Sequence, residues 1–136
     1  VIFLDSNAAI DLLATDDTRW SVWASAVFES SIDVEPLVCN LIVVAEVAAG
    51  TNAGSDILTD LARLEIEVVA LTDDAAPRAA TAFREYRRRG GSRSTLLPDF
   101  LIAAHAETLG ARLMTRDQRL ASYFPDLTLI TPETHP

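Results

Sequence analysis

Val1-Ile2-Phe3-Leu4-Asp5 and Arg112-Leu113-Met114-Thr115-Arg116-Asp117 are the stretches whose reading decides the fold. In each, a short apolar run breaks off near an aspartate, the pattern of a strand buried on both faces of a parallel sheet. A helix is predicted after the first run through Ala8-Ala9-Ile10-Asp11-Leu12-Leu13, and a second where Trp20, Trp23, Ala24, Val27 and Phe28 recur at helical spacing. Leu37-Val38-Cys39 reads as the next strand, with Asn40 capping a helix that runs to Gly50. A helix over Ile57–Leu64 then leads into a strand over Ile66–Leu71. Asp73 to Arg89 is a long helix stopped by Gly90-Gly91. After the loop Gly90–Leu97, Pro98 enters the first turn of a helix that ends at Leu109-Gly110. The strand Arg112–Thr115, a short helix over Leu120–Phe124, the strand Leu127–Ile130 and a frayed tail from Thr131 to Pro136 complete the chain. Strands alternating with helices predict an α/β fold, a parallel sheet with helices on both faces. With no repeat or low-complexity linker, residues 1–136 are read as one domain.

Apolar residues form 49% of the chain, enough for a real core. No apolar run approaches the roughly 20 residues that span a bilayer, and the first residues lack the basic leader of a signal peptide. A single cysteine, Cys39, sits in apolar Pro36-Leu37-Val38 as core filler, which fits a cytoplasmic protein. Twenty acidic against eleven basic residues give a net charge of -9, which disfavours grip on nucleic acid by phosphate contacts alone. There is no lysine. That excludes phosphate loops of the Gly-Lys-Ser/Thr kind, receiver domains and haloacid-dehalogenase-like phosphatases, which depend on a lysine.

Ligands of open parallel sheets bind beyond the carboxyl ends of the strands, and four acids belong there. Asp5 follows the first strand and Asp117 a later one, while Glu46 lies in the helix after the second strand and Asp99 begins the helix after the arginine-rich loop. Asp99 shares a helical face with Ile102, Ala103 and Ala106, whose modest bulk lets that helix sit close to the sheet. Two carboxylates about 4 Å apart repel by roughly 4 kcal/mol at an effective dielectric of about 20. Converging acids must protonate, be held apart or take up a cation. With oxygen donors alone, that cation is Mg²⁺, with Mn²⁺ able to substitute. Such a site orients and polarises a phosphodiester and lowers the pKa of attacking water, without a side-chain nucleophile.

These segments resemble the motifs of PIN-domain nucleases. Phe3-Leu4-Asp5-Ser6-Asn7, Ala45-Glu46-Val47 with Gly50, Pro98-Asp99-Phe100-Leu101-Ile102-Ala103-Ala104-His105-Ala106 and Met114-Thr115-Arg116-Asp117 occur in the family's order across nearly the whole chain. Tyr123-Phe124-Pro125 and Leu129-Ile130-Thr131-Pro132 look like the end of VapC-type toxins of bacterial toxin–antitoxin pairs. The resemblance implies a PIN fold and RNA cleavage by metal-activated water; it fixes no RNA target, and tRNA or rRNA would suit as substrate. It further implies a homodimer and a cognate antitoxin that blocks the site, a basic antitoxin side chain taking the cation's place. Carried over singly, Asp5 and Asp99 match the principal metal ligands, and Glu46 and Asp117 the remaining acids. Thr115 matches the polar residue beside the last acid, and Ser6 and Asn7 stand behind Asp5. Asn40 falls where many relatives have Ser or Thr.

Plainer roles compete for each residue. Asp5, Asp99 and Asp117 each suit a helix cap. Glu46 is harder to dismiss, because Val43-Val44-Ala45 and Val47-Ala48-Ala49 surround it and unpaired burial would be costly. Arg87, Arg88, Arg89 and Arg93 either form a solvated helix end or hold RNA phosphates. Trp20, Trp23 and Phe28 are core residues unless a dimer or antitoxin covers their edges, and His105 is structural. His135 leaves a two-histidine mechanism without a pair. Competing functions are a PIN fold that binds a partner without cutting, and a structure-specific deoxyribonuclease.

Overall fold

The computed structural model describes residues 1–50, 56–92 and 96–136. Its five strands, β1 (Ile2–Leu4), β2 (Leu37–Cys39), β3 (Glu67–Val68), β4 (Arg112–Met114) and β5 (Leu129–Ile130), form one parallel sheet in the order β3-β2-β1-β4-β5. Ile2, Phe3 and Leu4 are fully buried although successive strand residues point to opposite faces, so both faces are covered. The covering helices are α1 (Ser6–Leu13), α2 (Arg19–Ser31), α3 (Leu41–Ala49), α4 (Ile57–Arg63), α5 (Ala75–Arg88) and α6 (Leu97–Leu109). The α1 helix packs on α2 and α3, and α5 packs on α6. The expected α/β architecture is therefore present.

Strand order reverses at β1, which pairs with β2 on one side and with β4 on the other. The crevice between the carboxyl ends of β1 and β4 is thus the sheet's switch point, and the Asp5 N–H donates to the Met114 carbonyl across it at 3.0 Å. The adjoining helices stop where glycine permits. Gly90 (φ 94°) and Gly110 (φ 73°) adopt the left-handed conformation just past α5 and α6.

Four sequence expectations need correction. The strand predicted over Ile66–Leu71 pairs with β2 only at Glu67–Val68, because it is an edge strand beside a neighbour three residues long. The last strand is likewise limited to Leu129–Ile130. The short helix over Leu120–Phe124 is a single 3-10 turn, Ala121–Tyr123. The tail is not frayed. The Trp23 indole N–H donates to the His135 carbonyl at 2.7 Å, and Thr131, itself buried, closes a turn with Thr134. Trp23 is therefore covered by the chain's own end.

Candidate active site at the sheet switch point

Asp5 leaves β1 and caps α1, its Oδ1 accepting from the Ser6 N–H at 2.8 Å. Capping and site membership are therefore compatible roles. Its other oxygen accepts from Thr115 Oγ1 at 2.7 Å and from Asn7 Nδ2 at 3.3 Å. Thr115, at the end of β4, also accepts from the Asp117 N–H at 3.0 Å and from Asn7 Nδ2 at 3.2 Å. Asn7 Oδ1 accepts from the Arg116 N–H at 2.9 Å, which ties the segment after β4 to the first turn of α1. Thr115 is fully buried, so its hydroxyl has little freedom to exchange these partners for water. On α3, Glu46 is held by the Ser6 hydroxyl, which donates to its Oε1 at 2.6 Å. Ser6, Asn7 and Thr115 thus orient the acids.

Asp99 projects from the first turn of α6, and Ile102, Ala103 and Ala106 are buried as the helical spacing predicted. Asp5, Asp99 and Asp117 together line a cavity of about 30 Å³ whose other walls include Ala103, Leu113 and Phe124. Burial pushes the Asp99 carboxyl up to about 6, and the charges of Asp5 and Glu46 push the same way. Arg119 opposes that rise, and Asp117 adds to it. The Asp5 carboxyl is raised chiefly by burial as well, against the lowering effect of its bonds from Thr115 and Ser6. Four acids far apart in sequence therefore share one electrostatic neighbourhood.

The donors are all oxygen and their charges oppose one another, which suits a hard divalent cation. Among the described residues, though, no three Asp, Glu, His or Cys side chains converge tightly enough to hold an ion as they stand. Arg119 stands against two of these acids, and sequence reasoning missed it. Its Nε donates to both Asp117 oxygens, at 3.0 and 2.8 Å, and its Nη2 lies 2.6 Å from Asp117 Oδ2 and 3.9 Å from Asp99 Oδ2. The signal was an arginine two residues beyond an expected ligand.

Other candidates fall outside this centre. Asn40 caps α3 through the Val43 N–H at 3.0 Å and turns its amide toward His105 Nδ1 at 3.1 Å. Since the Asn40 oxygen is committed to the cap, its NH₂ must donate to Nδ1, leaving the histidine proton on Nε2. That atom is buried without a partner among the described residues, and burial lowers the His105 pKa. Both residues are structural. Cys39 is buried, with its thiol pushed up to about 11, as core filler should be. Arg88 and Arg89 both pair with Glu85 along the exposed end of α5, and Arg87 is exposed beside them. Arg93 lies outside the described residues. Among the described residues, no helix is long and apolar enough to cross a membrane.

A parallel sheet carrying acids from four elements toward its switch point defines an α/β protein with an acidic candidate site. The sequence profile of the PIN domain matches residues 2–123, and the chain belongs to that family. Membership supports a nuclease, a hydrolase of phosphodiesters, as its class. Solved structures share the fold at low identity. One is VapBC2 from Rickettsia felis bound to a DNA fragment from their promoter (TM-score 0.75, 18% identity, 96% of this chain and 97% of that one). Another is DNA-bound VapBC from Salmonella typhimurium (0.72, 19%, 96% of each chain). A third is a toxin–antitoxin complex from Klebsiella pneumoniae (0.68, 22%, 97% of this chain and 98% of that one). No curated protein matches the chain.

Proposed function

We propose that this chain is a toxin endoribonuclease of the VapC type, cleaving RNA with Mg²⁺ or Mn²⁺ at Asp5, Glu46, Asp99 and Asp117 and restrained by a cognate antitoxin. The observation that carries this reading is the convergence of mutually repelling carboxylates on the switch point, with Asp99 raised to about 6. Asp5 and Asp99 would hold the cation, with Glu46 and Asp117 beside them. Bound there, the ion supplies positive charge to the phosphodiester and acidifies an attacking water. The chain's own residues position these parts. Ser6 fixes Glu46, Thr115 and Asn7 fix Asp5, and apolar Ala103, Leu113 and Phe124 line the same cavity as the acids. Arg87 and Arg93 are proposed to meet RNA phosphates alongside Arg88 and Arg89, compensating for the net charge of -9. A homodimer is the proposed assembly, and the toxin–antitoxin complex sharing this fold supports an antitoxin partner.

The test is cleavage of a mixed pool of structured RNAs and a matched duplex DNA by antitoxin-free protein in Mg²⁺, Mn²⁺ or EDTA, beside Asp99→Asn. RNA cutting that needs metal and vanishes in the variant is expected. A folded protein inert in every metal would instead be a binding module, and selective cutting of DNA would make it a deoxyribonuclease.

Thr115→Val supplies a second check, since it keeps the shape of the side chain and removes all the hydroxyl's bonds to Asp5, Asp117 and Asn7. Activity is expected to fall about tenfold, as for groups that orient metal ligands. Unfolding free energy should drop by about 1–3 kcal/mol, because part-buried polar groups each lose a hydrogen bond. A variant with wild-type rates would remove Thr115 from the orienting network.

A further inference from the structure

Arg119 lies where the proposed reaction would need a cation, paired with Asp117 and close to Asp99. Its backbone N–H donates to Asp117 Oδ1 at 2.9 Å, so the carboxylate is gripped by main chain and guanidinium of one residue. The side chain remains 53% exposed. An exposed pair of this kind contributes little to stability, so releasing Asp117 costs little. The backbone bond would survive that release and keep the arginine tethered beside the pocket. Other arginines nearby are more firmly committed. Arg116 pairs with Asp11 at 2.6 Å and Arg78 with Glu107 at 2.6 Å, both with less exposed side chains. A guanidinium fork matches phosphate oxygens as well as it matches a carboxylate.

We propose that Arg119 is a tethered counter-ion that changes partners. Without metal it pairs with Asp117 and only partly offsets the charge of Asp99; when a divalent ion takes those carboxylates, it passes to a phosphate of the bound RNA strand. This rests on the reading of the acids as a metal site. The exchange makes metal loading and RNA binding mutually supportive, because each frees or engages the same side chain.

The test compares wild type, Arg119→Ala, Arg119→Lys and Asp99→Asn. Mn²⁺ affinity is measured by electron paramagnetic resonance. Affinity for a labelled single-stranded RNA is measured by anisotropy in Ca²⁺, with the RNA checked for integrity. Arg119→Ala is expected to bind Mn²⁺ about five- to tenfold more tightly, having lost its internal competitor. Its RNA affinity is expected to be about five- to tenfold weaker, with a salt dependence reduced by about one phosphate contact. Arg119→Lys, which keeps the charge without the fork, should fall between the two. Opposite shifts cannot come from misfolding, which would weaken both. Mn²⁺ binding that needs Asp99 but is unchanged in Arg119→Ala overturns the exchange and leaves the metal site standing. Tighter Mn²⁺ with unchanged RNA affinity also overturns it. Absence of Mn²⁺ binding in wild type and Arg119→Ala overturns the metal reading itself, and the exchange with it.

Discussion

Asp99→Asn is expected to lower metal-dependent RNA cleavage by about a hundred- to a thousandfold, and in the same protein to stabilise the metal-free fold. The two effects share one cause. Burial and the charges of Asp5, Glu46 and Asp117 hold the Asp99 carboxyl up at about 6, so ionised Asp99 opposes folding unless a cation is bound. The sign follows from linkage. A carboxyl raised above its unfolded value of about 3.9 contributes stability that is complete below that pH and is lost as pH rises through about 6. The rise from 3.8 to about 6 corresponds to about 3 kcal/mol at full weight. The side chain is about a third exposed, and solvent screening brings the expected gain at neutral pH to about 1–2 kcal/mol. Asparagine is neutral throughout, so the variant lacks this contribution to the pH slope. Urea denaturation in EDTA at pH 4.5 and 7.5 reads it directly: wild type should lose stability across the window, and the variant should lose less. Saturating Mg²⁺ should then restore wild type by mass action and do little for the variant. Parallel pH slopes would mean that Asp99 carries no frustrated charge in the folded protein.

That conflict was only partly legible in the chain. Asp5 and Asp117 could be placed because each follows a short apolar run, and parallel strands deliver their carboxyl ends to one edge. Asp99 could be placed because Ile102, Ala103 and Ala106 mark the face of α6 that is buried. Both arguments use backbone periodicity, which is local. Arg119 was illegible for the complementary reason. Whether it points at Asp117 or into solvent is a rotamer choice settled by Asp99 and Asp117 in three dimensions. The fixed tail has the same character, since nothing near His135 in sequence announces that Trp23, 112 residues earlier, will donate to its carbonyl. β3 falls short of expectation because apolar Ile66–Leu71 signals burial, whereas strand length depends on what the neighbour offers.

The support under Asp99 was equally non-local, and it carries the largest expected stability effect: Phe100→Ala should cost about 3–5 kcal/mol. Phe100 is fully buried. Its ring meets those of Phe83 at 5.3 Å and Tyr86 at 5.5 Å from α5, and those of Tyr123 and Phe124 at 5.9 Å from the turn after β4. Truncation removes the centre of that cluster and opens a cavity where α6, α5 and the 3-10 turn meet. The melting temperature is expected to fall by about 10 °C or more. Function should suffer beyond the loss of folded molecules, because Phe100 anchors the first turn of α6, from which Asp99 projects. A drift of about 1 Å in that carboxylate is enough to cost up to about a hundredfold in rate. Phe100→Leu separates the two effects: it refills much of the volume and should recover at least half of the stability. Unfolding curves give the stability of each variant, and cleavage assayed well below both transitions gives the rate per folded molecule. A loss under 1 kcal/mol in Phe100→Ala would show that the neighbouring rings close over the gap. A full rate in the folded variant would show that the buried Ile102–Ala103–Ala106 face alone positions Asp99.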